Sequence, residues 1–312
     1  MTSLSTSRHG DGLGTKPRQR RGFTLEKKHS LIGWLFLLPA TVLIFYFNFY
    51  PMIAAFVRSL HTGIGMRTRF AGAYNYAHMI EDGSFRQSVL NTFLYLIVQV
   101  PIMLLLALIF ASLLNQRALR SRKLYRTLIF LPCATSLVSY ALIFRSIFAT
   151  DGLINTLLLQ LGLISDKIKW ITETPSARTV IIVALLWRWT GYNMVFYLSG
   201  LQNIEYSIYE AARIDGVSPW QQLTKITLPL LRPIILLTTV MSTSGTLQLF
   251  DESVNLTSGG PGGTTMTMSH YIYKTAFEYN PNFGYACAMS FFILIIGALL
   301  SLIQLKVGDR RD

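Results

Sequence analysis

The run Glu210-Ala-Ala-Arg-Ile-Asp-Gly216, continuing to Ile226-Thr-Leu-Pro229, is the most polar long interruption in the C-terminal half of a hydrophobic chain. Tyr206 to Ile214 reads as a short helix and Gly216 as its end, with Pro219 and Pro229 bracketing the next ten residues or so. A charged helix held between two apolar runs is suited to touching a partner. The other chemically pointed residue is Arg188, a cation inside an apolar run and flanked by Trp187 and Trp189. A guanidinium there either ties helices together or snorkels, or it offers a bidentate donor to an acidic solute. The residues alone leave both readings open.

No catalytic constellation accompanies them. Gly259-Gly260-Pro261-Gly262-Gly263 has no following Lys-Ser/Thr pair, so it does not read as a nucleotide cradle. His9, His29, His61, His78 and His270 lack metal-ligand spacing, and Cys133 and Cys287 read as small residues in or beside apolar runs. Catalytic residues, a metal site and a cofactor are therefore not expected in this chain. Work on a solute would have to draw on an ion gradient or on a partner. A gradient-coupled carrier would carry acids within its spans. None is evident, and Asp251 stands only at the end of the fifth run. Partner-driven transport is favoured, with a carrier acting without an ATPase as the alternative.

Composition sets the scaffold that holds these residues. The chain is 51% hydrophobic and 14% charged, which places it in the membrane class. Apolar runs at about 31–57, 89–114, 124–148, 179–201, 230–250 and 286–305 are each long enough to cross ~30 Å of hydrocarbon as a helix. The expected fold is all-α, a polytopic protein with six spans over 31–308. Residues 1–30 are polar and basic and read as a flexible tail. The net charge of +13 could indicate nucleic acid, but Lys and Arg concentrate in the tail, the 117–126 connection, the Glu210 loop and the C-terminus. Topology explains that asymmetry better, with both termini and the Glu210 loop cytoplasmic. The connections at about 58–88, 149–178 and 251–285 would hold turns and small interfacial helices.

The full pattern, Tyr209-Glu-Ala-Ala-Arg-Ile-Asp-Gly216, then Trp220, then Lys225-Ile-Thr-Leu-Pro-Leu-Leu-Arg-Pro233, closely resembles the cytoplasmic EAA loop of ABC-importer permeases. Leu256-Thr-Ser-Gly-Gly-Pro261, Tyr271-Ile-Tyr273, Ala276-Phe277 and Phe283-Gly-Tyr-Ala286 resemble the carbohydrate-uptake branch, of the maltose-F, glycerol-phosphate-A or lactose-F type. The resemblance runs over roughly residues 31–308. It implies a type I importer fold in a bacterial cytoplasmic (inner) membrane, with the EAA loop, about 204–229, forming a coupling helix between spans 4 and 5. It implies a second homologous permease, two ATP-binding cassette ATPase subunits that hold ATP and Mg, an extracytoplasmic solute-binding protein and a sugar-type solute. Glu210, Ala211, Ala212, Arg213, Asp215 and Gly216 would then couple to the ATPase. Glu210 would be an anchor, Ala211 and Ala212 would allow close approach, and Gly216 would permit the turn. Carried over by ungapped counting, the solute site of the maltose relative falls on Leu185, Arg188, Trp189, Tyr192, Ser242, Gly245, Thr246 and Leu249. Only the tyrosine and the serine match that site, which argues against maltose itself. If Arg188 faces the pore, a sulfonated or phosphorylated sugar stands beside a neutral saccharide or polyol as the solute.

Overall fold

A computed structural model describes residues 25–64, 67–116 and 119–308. The expected flexible stretch lies outside the described residues up to 24, and the first helix begins at Leu25. The chain divides into two units, residues 1–54 and 55–312. The first is the apolar helix Leu25–Ile44 followed by a π-turn, Phe45–Phe49. Its large side chains, Trp34, Phe36 and Phe47 among them, are exposed, as suits a helix in a lipid solvent.

The second unit is a helical bundle. Five helices among the described residues are long and apolar enough to cross a membrane: Ile32–Ser59, Gly83–Leu114, Thr174–Gln202, Pro219–Leu247 and Phe283–Gly308. The first of these begins in the first unit. Thr174–Gln202 is the central one, with half of its most apolar window buried against 17% for Phe283–Gly308. It packs along Gly83–Leu114 through small residues. Ala107 and Ala111 are fully buried there beside Met194 and Tyr197, with Leu231 closing the cluster from the next helix. Small side chains let backbones approach where lipid supplies no hydrophobic drive between helices. Gly191 takes this to its limit, because a Cβ there would overlap the Ile129 carbonyl oxygen.

The expected single span at 124–148 is instead two helices, Arg122–Ala134 and Leu137–Ile147, bent by 98°. Pro132 lies just before the break, and Thr135 and Ser136 are extended. The Thr135 hydroxyl turns back to the Pro132 carbonyl at 2.7 Å, an alternative to continuing the helix. The helix of the fifth apolar run ends at Leu247, so the expected 248–250 end is non-helical.

The connections also carry structure. His61–Ile64 and Arg67–Phe70 form an antiparallel pair with His61 opposite Phe70, a small departure from the all-α expectation. Asp82 caps Gly83–Leu114, accepting from the Ser84 and Phe85 amides, and also accepts from the Tyr271 and Tyr285 hydroxyls at 2.7 Å. Burial acts to raise the Asp82 carboxyl pKa, but these four hydrogen bonds outweigh it and hold the group below its ordinary value. The glycine-rich turn is stitched to two spans. The Asn91 amide donates to the Gly263 and Met266 carbonyls, and Arg178 donates to Asn91 Oδ1 and the Thr264 carbonyl.

Candidate functional site

A cavity of about 310 Å³ opens among the helices of the second unit, within the ~300–1,000 Å³ of small-molecule sites. Seven of the eight residues expected to meet a solute line it: Leu185, Trp189 and Tyr192 from Thr174–Gln202, Ser242, Gly245 and Thr246 from Pro219–Leu247, and Leu249 just beyond. Leu185, Trp189 and Tyr192 are spaced to share one face of their helix. The Trp189 and Tyr192 rings meet edge to face at 5.8 Å, forming an aromatic wall. Gly245 faces open space, since a Cβ there would meet nothing within 4 Å. A larger groove of about 630 Å³ along Ser244, Leu247, Ser290, Ile293 and Gly297 holds none of the expected residues.

Other lining residues were missed by the sequence reading. Gln99 and Asn193 are buried, and both turn amide nitrogens toward the Met103 sulfur, a weak acceptor. Thr246 donates to Gln99 Oε1 at 3.4 Å. Asn193 stands four residues after Trp189, and that spacing could have found it. Gln99 comes from a distant part of the chain and only the fold brings it here. Asp251 and Glu252 also line the cavity. Glu252 is only 3% exposed, and the Tyr140 hydroxyl donates to its Oε1. Burial pushes the Glu252 carboxyl pKa up, against the hydrogen bond from Tyr140 that pulls it down.

Arg188 is the eighth residue, and it is not among the cavity's lining. It is buried, donating from Nη1 to the Thr135 carbonyl at 3.0 Å, with its guanidinium 4.7 Å from the Tyr140 ring centroid and 5.4 Å from that of Trp189. Of the two roles open to it, the geometry is that of an interhelical tie. The broken helix leaves a part-buried carbonyl at Thr135 and the arginine satisfies it. Spacing alone would put position 188, three residues after 185 and four before 192, at the edge of the same face; its side chain is turned aside by the Thr135 carbonyl and the Tyr140 ring of the broken helix.

The polar loop forms the helix Tyr206–Ile214 as expected. It ends in a Schellman turn: the Val217 amide donates to the Ala212 carbonyl and the Gly216 amide to that of Arg213. Gly216 has φ +73°, the left-handed geometry that glycine takes without strain. Glu210, Ala211, Arg213, Asp215 and Gly216 are exposed, whereas Ala212 is buried. Arg213 donates to the Tyr206 hydroxyl, and no described residue forms an ion pair with Arg213 or Asp215. Ile214 is 87% and Trp220 71% exposed, leaving apolar side chains uncovered beside Glu210. The Tyr209 hydroxyl meets Thr227 Oγ1 at 3.0 Å, which ties this helix to the π-turn Leu223–Thr227 at the base of the fifth span. One residue, Leu228, separates that π-turn from Pro229, which has no amide to donate.

Residues 76–311 match the family described as "Binding-protein-dependent transport system inner membrane component". The chain belongs to that family. It is therefore a multi-pass inner-membrane permease component and not an enzyme, as the sequence led one to expect. A gradient-coupled carrier acting alone finds no support in this membership. Among relatives, the chain is 47% identical to the lactose transport system permease protein LacF of Rhizobium radiobacter, covering 92% of this chain and 97% of that one. It is 32% identical to the arabinooligosaccharides transport system permease protein AraP of Bacillus subtilis, covering 88% of each. It is 31% identical to the trehalose/maltose transport system permease protein MalF of Thermococcus litoralis, covering 92% and 97%. The fold is similar to a crystal structure of a bacterial ABC transporter involved in import of the acidic polysaccharide alginate. The TM-score there is 0.81 at 22% identity, over 92% of this chain and 98% of that one. That likeness carries the type I importer permease fold.

Proposed function

We propose that this permease carries an uncharged saccharide, with lactose the first candidate, through the cavity bounded by Trp189, Tyr192, Ser242 and Gly245. The carrying observation is that this one cavity gathers seven of the eight residues expected from the sequence. An aromatic wall suits sugar C–H faces, and hydroxyl and amide groups suit sugar hydroxyls. The names of the relatives, lactose above all, support a sugar. The cavity lining favours a neutral solute over an anionic one, because Asp251 and Glu252 line it and Arg188 does not.

In this reading the broken pair Arg122–Ala134 and Leu137–Ile147 supplies a sixth span, and both termini face the cytoplasm. The chain pairs with a second, homologous permease above two ATPase subunits, and a binding protein delivers the sugar. The helix Tyr206–Ile214 couples to the ATPase: Glu210 anchors it, exposed Ile214 and Trp220 give it apolar grip, and Gly216 forms its turn. Ala211 allows close approach, while Ala212 packs inward instead. Arg213 and Asp215 remain on the exposed face for the ATPase. Tyr209 and Thr227 then pass the movement to the fifth span, which forms one cavity wall.

The test is uptake by the complete complex in proteoliposomes with ATP inside. Labelled lactose should accumulate and the acidic analogue lactobionate should not. Preference for lactobionate would overturn the neutral reading.

A further inference from the structure

We infer that Glu252 is a solute-contacting residue that makes the cavity select hydroxyl-rich, uncharged saccharides. This rests on the proposed cavity route and deepens it. The EAA pattern did not point to Glu252, and counting from the maltose relative did not reach it.

A carboxylate has two oxygens and about four acceptor positions. Tyr140 occupies one on Oε1, the residue's own backbone amide takes another, and no other side chain among the described residues donates to Glu252. The residue is nine-tenths buried and more, yet lines the cavity. The acceptor positions not taken by Tyr140 or the backbone amide are available to a donor in the cavity that Glu252 lines. Leaving a buried acceptor unmet is costly, and sugar hydroxyls are the donors that meet it. A sulfate, phosphate or carboxylate would arrive with only acceptors and the same sign of charge, beside Asp251 as well.

Tyr140 is the positioning residue. Its hydroxyl holds Glu252, and its ring lies under the Arg188 guanidinium, which is itself fixed on the Thr135 carbonyl. Arg188 thus acts on the solute through Tyr140 and Glu252, from outside the cavity lining. The tie also explains why Leu137–Ile147 and the short helix Asp251–Asn255 pack together.

The test uses the complete complex in proteoliposomes with saturating lactose-loaded binding protein. The readout is labelled lactose carried per ATP hydrolysed. Glu252→Gln keeps the shape and the acceptor for Tyr140 but removes the charge. It should lower that ratio about tenfold, while ATP hydrolysis stimulated by the binding protein stays within about twofold. Tyr140→Phe should lower the same ratio about threefold. An unchanged ratio in Glu252→Gln, or transport and hydrolysis falling together, overturns the inference. Gly245→Phe, run alongside, separates the two levels. If it stops lactose and Glu252→Gln does not, this inference alone falls; if neither changes the ratio, the cavity reading falls with it.

Discussion

The cavity and the helix Tyr206–Ile214 are built in opposite ways. Around the cavity, polar groups are buried and held by partners within the chain, Glu252 by Tyr140, Arg188 by Thr135 and Gln99 by Thr246, with part of their hydrogen-bonding capacity left over. On the helix, Glu210 and Ile214 stand exposed with nothing among the described residues to cover them. A site completed by its own fold is assembled from distant stretches. A site completed by another chain must carry its whole recognition pattern locally. The same difference divides the proposed labour, with the cavity choosing the solute and the helix receiving force.

Substitutions that act on one region alone can undo this division. The largest effect is expected from Gly245→Phe. The ring would enter open space at the cavity and abolish lactose uptake with complex assembly intact, as read by co-purification. Uptake near wild type would remove the cavity from the route. Next is Ile214→Asp on the exposed helix. A central apolar anchor lost from an interface costs about 2–4 kcal/mol, so co-purification with the ATPase should weaken at least about thirtyfold. A full-strength complex would detach this helix from the ATPase. Gly191→Ala should destabilise the permease by about 1–3 kcal/mol through the forced separation from Ile129, read as a lower melting temperature in detergent. No change would mean that this helix contact is slack.

Asp82 gives the smallest effect and touches neither region. Its folded pKa lies below the ordinary value of 3.8, so its contribution is present above that value and lost as pH falls through the folded pKa. Asp82→Asn should therefore lower melting temperature at neutral pH, with the gap to wild type closing in acid. A gap constant with pH would show that the carboxylate charge is irrelevant there.

Much of the fold was legible because lipid demands long apolar helices, and five runs matched helices to within a few turns. The bend at Thr135 was not, since Leu124–Phe148 is apolar on both sides of the break and the group that satisfies Thr135 comes from Arg188, on another helix. The hairpin was missed because strands of four residues carry too little alternation to read. In the exposed helix Tyr206–Ile214, the residue types were legible but the inward turn of Ala212 was not. It depends on how the helix lies against its own bundle. In the cavity, counting along two helices found one face of each, while Gln99 and Glu252 needed the fold to bring them close. Arg188 was noticed for its charge, and its direction was settled by the broken helix beside it.

Reconstituting this chain alone and in the complete complex, then following labelled lactose, puts the division of labour to its plainest test. The chain alone, given an imposed proton gradient, should accumulate none. Adding the second permease, the ATPase, the binding protein and ATP should produce accumulation that Ile214→Asp prevents. Accumulation by the lone chain, or by the complex without ATP, would contradict that division.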